Sequence, residues 1–195
     1  MHNPALIIVD VQKGFDDPYW GIRNNPHAED NIALLLATWR ERNLPIFHVQ
    51  HLSTEPQSPL RPGQAGCEFK AIVKPLSGEP VITKHVNSSF IGTSLERMLN
   101  DKGIHTLVIT GLSTDHCVST TTRMAGNLGF ITYVVADATA TFNRKGFNGQ
   151  KFTAEEIHHS ALASLHKEFA TVLTTCDLLV ILDHLQNFQS SSVPI

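Results

Sequence analysis

Six short apolar runs alternate with longer segments of helical periodicity along this chain. The run 5–11 is apolar without a break up to Asp10, which is typical of a strand buried on both faces of a sheet. In 29–43, apolar residues recur three and four positions apart, which predicts a helix with one buried face. The predicted strands are 5–11, 46–50, 81–84, 106–110, 131–136 and 169–173, and the predicted helices are 29–43, 93–102, 115–128, 153–168 and 176–185.

This alternation predicts the fold class. Strands that alternate with helices favour a six-stranded parallel sheet with helices on both faces, a doubly wound, Rossmann-like three-layer α/β/α arrangement. With 195 residues, no linker and no internal repeat, the chain is predicted to form one domain over 1–195. Two capping-box sequences, 93–96 and 153–156, predict where two of the helices begin.

Three segments interrupt the pattern. Residues 51–80 carry several prolines and glycines and are too long for an ordinary connection, which indicates a binding loop or a contact between subunits. Residues 137–150 are polar apart from Phe142 and Phe147 and are a candidate lid. Residues 186–195 are expected to form an irregular tail.

Composition narrows the class of partner. A net charge of −3 and a pI near 6.4, without a basic patch, argue against nucleic-acid binding. No apolar run approaches the roughly 18 residues that span a bilayer, so no membrane association is expected. The first residues lack signal-peptide features, and three widely spaced cysteines do not form a disulfide framework. We therefore expect a cytoplasmic protein with reduced thiols.

The turn after the fourth predicted strand places Cys117 where a thiol can be reactive. It follows the apolar run 106–110 and Gly111, at the start of a predicted helix. Unpaired N–H groups at a helix N-terminus favour the thiolate and can hold a developing oxyanion. From this stretch alone, a nucleophile and a buried structural thiol both remain open.

Two more reactive residues lie at predicted strand ends. Ligands of an open parallel sheet bind beyond the carboxyl ends of its strands, where the strand order reverses. Asp10 follows four buried apolar residues, where an unpaired acid is costly. Lys84, taken alone, is an ordinary solvated lysine. Together with Cys117, they predict a base, a cation and a nucleophile at one edge of one sheet.

Three segments resemble the signatures of the isochorismatase-like cysteine hydrolases, a superfamily that includes nicotinamidases and N-carbamoylsarcosine amidase. The segments are Leu-Ile-Ile-Val-Asp-Val-Gln-Lys-Gly-Phe at 6–15, Lys84 followed by Ser88 and Phe90, and Gly-Leu-Ser-Thr-Asp-His-Cys-Val-Ser-Thr-Thr at 111–121. The resemblance covers most of the chain. It implies a six-stranded parallel α/β fold and a hydrolase acting on a small molecule without a cofactor.

The resemblance also implies a mechanism. Asp10, Lys84 and Cys117 would form a catalytic triad in which the sulfur attacks an amide-type carbonyl and Asp10 carries the proton. Backbone N–H groups of Ser113 and Cys117 would hold the oxyanion, and the Leu112–Ser113 peptide would be cis. The presence of Cys117 favours C–N hydrolysis over the vinyl ether cleavage of isochorismatase itself, which remains an alternative.

A metal site is not expected. Nicotinamidases bind a metal through an Asp and histidines after the second strand, whereas this chain offers His48 and His51 there without an Asp nearby. A metal site needs three or more convergent ligands, so we interpret both as polar histidines near a cleft mouth.

Other residues have both a functional and a structural interpretation. Phe15, Trp20 and Phe90 could line an apolar substrate slot, or could equally pack in the core. Surface or bystander roles are expected for His158, His159, Cys67 and Cys176, and His116 is expected to face solvent or to line the pocket entrance.

Competing functions remain open at this point. A nucleotide- or flavin-binding domain would need a glycine-rich phosphate cradle, which 111–116 lacks. A phosphoryl-transfer domain with Asp10 as nucleophile would need a second acid for magnesium, and only Asp16 and Asp17 are near in sequence. A member without catalysis that binds a small ligand is a further alternative. In each case a homo-oligomer, dimer or tetramer, is expected.

Overall fold

A computed structural model describes residues 3–190, and the side chains of residues 3–184. Its strands are β1 Ala5–Val9, β2 Ile46–His51, β3 Val81–Lys84, β4 Thr106–Leu112, β5 Ile131–Ala140, β6 Arg144–Lys145, β7 Lys151–Phe152 and β8 Thr171–Leu173. Its α-helices are α1 Ala28–Glu41, α2 Leu95–Asp101, α3 Ser119–Asn127, α4 Ala154–Leu165 and α5 Thr175–Ser190. Six strands form one all-parallel sheet in the order β3-β2-β1-β4-β5-β8, and β6 and β7 form a separate antiparallel hairpin.

The sheet is covered on both faces, which confirms the predicted fold class. Successive side chains of a strand point to opposite faces, and β1 shows this directly. Leu6 and Ile8 belong to a core cluster with α1 and α5, whereas Ile7 and Val9 belong to a cluster with α2, α3 and α4. All five residues of β1 are buried, as its uninterrupted apolar run predicts.

The end of β5 differs from the sequence prediction at the candidate lid. The first residues of 137–150 continue β5 as far as Ala140, where Ala138, Thr139 and Ala140 are all buried. Phe142 is buried and only Phe147 is fully exposed, at the end of the β6–β7 hairpin. Part of this segment, 137–140 and 144–145, is therefore strand.

Of the two predicted capping boxes, only the second is present. Thr153 and Glu156 make both hydrogen bonds of a capping box at the start of α4. At α2 the helix begins at Leu95, so the N-cap is Ser94 rather than Thr93, and Ser94 makes no side-chain cap. The Thr93 hydroxyl accepts from the Leu95 N–H at 3.3 Å and donates to the Ser89 carbonyl oxygen at 2.6 Å.

The C-terminal helix is longer than predicted. α5 continues to Ser190, so part of the expected tail is helical, and 191–195 lie outside the described residues. No helix among residues 3–190 has both the length and the apolar character required to cross a bilayer.

The strand order reverses between β1 and β4, and this reversal creates the crevice. The long segment 51–80 is anchored beside it by the buried side chain of Gln12. Its amide donates to the carbonyl oxygens of His51 and Cys67, both at 3.0 Å, and accepts from the His51 N–H at 2.8 Å. The start of this segment is thereby fixed at the end of β2.

Candidate active site

The three reactive residues predicted at strand ends lie in contact. Nζ of Lys84 is 2.6 Å from Oδ2 of Asp10 and donates a hydrogen bond of 3.2 Å to Sγ of Cys117. The side chains of Asp10 and Lys84 are fully buried, and Cys117 is 8% exposed. Neither Asp10 oxygen accepts a hydrogen bond of regular geometry from the described residues, so the carboxylate can still take up a proton.

Close approach of β1 and β4 brings Asp10 next to the turn that carries Cys117. Gly111 pairs with Val9 and has a φ of +118°. A Cβ at Gly111 would lie 2.0 Å from the Val9 carbonyl oxygen, so only glycine permits this approach. Asp10 then adopts a φ of 54° and donates its N–H to the Val49 carbonyl oxygen at 3.0 Å, which fixes the carboxylate at the crevice.

Cys117 lies in a π-helical turn, Thr114–Val118, that joins β4 to α3; we name it the Cys117 turn. The Ser113 carbonyl oxygen accepts hydrogen bonds from the N–H groups of His116 at 3.2 Å and Val118 at 3.1 Å. Within 3–190 the N–H of Ser113 has no hydrogen-bond partner. The Leu112–Ser113 peptide is cis, as the resemblance implies. The turn thus offers an unpaired backbone donor close to the thiol.

Burial determines the protonation of the site. It raises the pKa of the Cys117 thiol, and the Asp10 carboxylate raises that pKa further, while Lys84 opposes both effects. Burial also raises the pKa of Asp10, against the lowering effect of Lys84. A thiolate at Cys117 would be a second negative charge in this buried site with only Lys84 to balance it, so burial opposes the thiolate that the helix N-terminus favours.

A cavity of about 140 Å³ opens beside Cys117. Phe15, Tyr19 and Trp20 line one side of it. The Phe15 and Trp20 rings lie 5.0 Å apart, and Nε1 of Trp20 donates to the Gly14 carbonyl oxygen at 2.8 Å, which fixes the indole. Residues of the segment 51–60 also line it. The cavity is therefore lined by both aromatic and polar side chains.

The third aromatic residue considered for a substrate slot, Phe90, is not among those lining the cavity. It packs in the core, with its ring 5.9 Å from that of Phe130. The preceding Ser89 N–H donates to the Thr121 hydroxyl of α3 at 3.1 Å, which holds this part of the chain against the helix. Phe90 thus takes the packing role that was its structural alternative.

Comparison with known proteins identifies the family. Residues 4–177 match the family described as the Isochorismatase domain. The chain belongs to the isochorismatase family. It is 55% identical over 175 residues to the isochorismatase family protein YrdC of Bacillus subtilis, covering 90% of this chain and 94% of YrdC.

Two further relatives are a protein of known structure and an enzyme. An isochorismatase-family protein from Chromobacterium violaceum, known from its crystal structure, superposes with a TM-score of 0.90 at 45% identity, covering 93% of this chain and 94% of that one. Nicotinamidase 3 of Arabidopsis thaliana is 28% identical over 188 residues, covering 90% of this chain and 86% of the nicotinamidase. Members of the family are hydrolases, and amidases are among them.

The site in this family member does not fit a resident metal ion. Ligand atoms of Asp10, His51 and Cys117 lie within 4.8 Å of one another. The Lys84 ammonium, however, is 2.6 Å from Asp10, 3.1 Å from His51 and 3.2 Å from Cys117. A protein cation thus occupies the position that a metal would need, and no step proposed below uses one.

Both histidines lie within β2 rather than after it, and of the two only His51 lines the cavity. Its Nδ1 is 3.1 Å from Nζ of Lys84, and burial, Lys84 and His85 lower its pKa to about 4, so the ring is neutral. His48 lies on the other side of β2, where its Nε2 bonds to Glu79 at 2.8 Å. Residues three positions apart on a strand point to opposite faces of the sheet, so the spacing of the two histidines already indicated that they would not share a site.

His158, expected on the surface, is 3% exposed and packs against the Cys117 turn. Its Nδ1 lies 2.9 Å from the Thr114 hydroxyl, and burial lowers its pKa. The sequence held the signal, because His158 lies four residues after Ala154 and four before Leu162, on the buried face of α4. His159 is exposed, as expected.

A second set of contacts joins the Cys117 turn to the β6–β7 hairpin. The Asp115 carboxylate accepts hydrogen bonds from Arg144 at 2.8 and 3.2 Å and from the Thr141 hydroxyl at 2.5 Å. These contacts lower the pKa of Asp115 against the effect of burial. The residues are 26 and 29 positions apart, and no local pattern pairs them.

The other two cysteines lie apart from this site. The Cys67 thiol is buried and donates to the Leu60 carbonyl oxygen at 2.8 Å. Cys176 is exposed on α5. Neither makes a hydrogen bond to Asp10 or Lys84 among the described residues, which agrees with their interpretation as bystanders.

Proposed function

We propose that this isochorismatase-family protein is a cysteine-dependent amidohydrolase that cleaves an amide-like C–N bond of a small molecule. The observation that carries the proposal is the contact of Asp10, Lys84 and Cys117 in one buried group whose sulfur borders a cavity. The relationship to Nicotinamidase 3 supports amide chemistry rather than ether cleavage.

The first step is a proton transfer coupled to nucleophilic attack. Sγ of Cys117 bonds to the carbonyl carbon of the substrate while its proton moves to Asp10. Because burial raises the pKa of the thiol, the proton leaves as the bond forms rather than beforehand. The negative charge moves from Asp10 to the substrate oxygen, and the Lys84 ammonium balances it throughout.

Backbone donors stabilise the resulting oxyanion. The N–H of Ser113, which has no partner within 3–190, and the N–H of Cys117 are the candidates. One such donor typically contributes about 3 kcal/mol to lowering the barrier. The contact of His158 with Thr114 holds the turn that carries both groups.

The tetrahedral intermediate then loses its amine. The C–N bond breaks, the nitrogen takes the proton from Asp10, and an acyl thioester remains on Cys117. Water attacks this thioester while Asp10 accepts one of its protons. Release of the carboxylic acid returns that proton to the sulfur and restores the resting site.

A screen of small primary amides, ureides and carbamoyl compounds for ammonia release tests this function. Replacement of the nucleophile, Cys117→Ala, is expected to lower kcat about a thousandfold or more with an unchanged circular dichroism spectrum. Cys176→Ala is the matched control and keeps full activity, since that thiol is exposed on α5. Turnover that survives in Cys117→Ala, or a wild-type enzyme inert towards all three compound classes, would contradict the proposal.

A further inference from the structure

An amine nitrogen lies in contact with the candidate nucleophile. Nζ of Lys84 is 3.2 Å from Sγ of Cys117, and both side chains are buried. Nζ is also held by Asp10 at 2.6 Å, by Nδ1 of His51 at 3.1 Å and by the Val86 carbonyl oxygen at 3.2 Å. These contacts fix the nitrogen beside the sulfur. The proposed hydrolysis uses only the charge of this amine, so its nitrogen remains available for chemistry of its own.

The sulfur is open to a small oxidant. Cys117 is 8% exposed and borders a cavity of about 140 Å³, which admits a molecule as small as hydrogen peroxide. Peroxides convert a cysteine thiol to a sulfenic acid. In that step the S–O bond forms as the O–O bond breaks, sulfur is oxidised and the peroxide is reduced to water. Asp10 can carry the thiol proton to the departing oxygen, because neither of its oxygens accepts a hydrogen bond of regular geometry from the described residues.

A sulfenic acid condenses with a second thiol or with a nitrogen. Cys67, whose thiol donates to the Leu60 carbonyl oxygen at 2.8 Å, is not among the described residues that line the cavity. The backbone N–H of the following residue, Val118, donates to the Ser113 carbonyl oxygen at 3.1 Å. Both ordinary partners are thus engaged elsewhere, whereas Lys84 contacts the sulfur directly.

We propose that peroxide converts Cys117 and Lys84 into a covalent bridge, a sulfenamide in which Sγ is bonded to Nζ. Asp10 takes one proton from the ammonium, and the free amine attacks the sulfur of the sulfenic acid. The S–N bond forms as the S–O bond breaks, the hydroxyl leaves as water with the proton held by Asp10, and a second nitrogen proton then passes to Asp10. The buried carboxylate and ammonium both become neutral in this step, so no unpaired charge is left in the site.

The bridge inactivates the site reversibly. It occupies the sulfur and removes the Lys84 charge, so the loss of activity rests on the proposed amidohydrolase function, while the bond itself does not. An external thiol that attacks the sulfur of the bridge releases the amine and, through a mixed disulfide and a second thiol, restores Cys117. Because the sulfur is already bonded to nitrogen, it is kept from further oxidation to the sulfinic acid, which thiols do not reverse.

Peptide mapping of a variant with one cysteine tests the proposal. Cys67→Ser with Cys176→Ala leaves Cys117 as the sole thiol, so no disulfide can form within the chain. After treatment with hydrogen peroxide and digestion with trypsin without reductant, we expect 71–97 joined to 103–123. The pair should have two hydrogens fewer than the sum of the two peptides, and trypsin cannot cleave after a bonded Lys84. Dithiothreitol should separate the pair, and the wild type, treated in parallel, should give the same result.

Two lysine variants make the bridge specific. Lys84→Arg keeps a cation but not the primary amine, so its Cys117 should gain two oxygens as a sulfinic acid that dithiothreitol leaves unchanged. Lys145→Arg, at an exposed position of the β6–β7 hairpin, should still form the bridge. A Cys117 left unmodified or converted to sulfinic acid in the single-cysteine variant, or a bridge that retains a peroxide oxygen, would overturn the inference. A wild-type enzyme inert towards every amide would instead contradict the proposed function, and the mass of the bridge is measured without any substrate.

Discussion

Removal of the Lys84 charge should destabilise the fold in a manner that depends on pH. Lys84→Met keeps the length of the side chain but leaves the buried Asp10 without its partner at 2.6 Å. Coulomb's law at this distance, with an effective dielectric constant of 20, gives about 6 kcal/mol of lost attraction. The folded variant can avoid this loss by protonating Asp10, which removes the unpaired charge. For a carboxyl with an unfolded pKa of about 3.9, that protonation costs about 4 kcal/mol at pH 7, so the loss of stability should not exceed this amount.

The sign of the pH dependence follows from this limit. In Lys84→Met the folded pKa of Asp10 is raised above the unfolded value, since the ammonium that opposed the effect of burial is gone. The stability due to this group is therefore complete below about pH 4 and lost as pH rises. We expect the free energy of unfolding of Lys84→Met to lie about 4 kcal/mol below that of the wild type at pH 7, and about 1.5 kcal/mol below it at pH 5.

Urea unfolding of wild type and variant at pH 5, 6 and 7 measures this difference. The double variant Asp10→Asn with Lys84→Met should recover most of the loss, because it leaves no unpaired buried charge. Lys13→Met is the matched control: it breaks an exposed pair with Glu68 and should show little loss and no such slope. A deficit equal at pH 5 and pH 7, or a double variant no more stable than Lys84→Met, would refute the reasoning.

Three other changes have defined outcomes. As pH falls, kcat/KM should begin to decline at a pH above the ordinary pKa range of a carboxyl. Burial raises the pKa of Asp10, and activity is lost when Asp10 becomes protonated. A decline centred near pH 4 would contradict this. Gly111→Ala should cost about 3 kcal/mol or more in urea unfolding, owing to a backbone clash at 2.0 Å, whereas Gly78→Ala, with a positive φ but open space, should cost about 1 kcal/mol. Arg144→Ala should speed limited proteolysis of the β6–β7 hairpin, and Lys145→Ala, an exposed neighbour, should not; equal rates would argue against the Asp115 contact as its anchor.

β1 and β4 were predictable because parallel strands buried on both faces appear as uninterrupted apolar runs. The extension of β5 to Ala140 was not predictable. Thr139 and Ala140 follow a polar Asp137 and are typical of a loop in sequence, and only the structure shows that both side chains are buried. The capping box at Thr93 is absent because α2 begins one residue later than predicted, at Leu95, and helix boundaries are the least certain part of a sequence pattern.

The candidate site was likewise predictable only in part. Asp10, Lys84 and Cys117 follow predicted parallel strands, and the carboxyl ends of parallel strands lie at the same edge of the sheet. Their proximity at that edge was therefore predictable. The protonation of the thiol could not be predicted, since it depends on burial and on the distance to a carboxylate 107 positions away in the sequence. The contact of His51 with Lys84 follows from their pairing across β2 and β3, a register that the sequence alone leaves open.

The amide of Gln12 has a consequence for how substrate preference can diversify on this scaffold. It bonds to the backbone at both 51 and 67, so the intervening stretch begins and ends on one side chain. That stretch supplies Ser53, Glu55, Ser58 and Leu60 to the cavity but no strand to the sheet. Exchange of 52–66 between homologues should therefore change the residues that this stretch contributes to the cavity without displacing Asp10, Lys84 or Cys117.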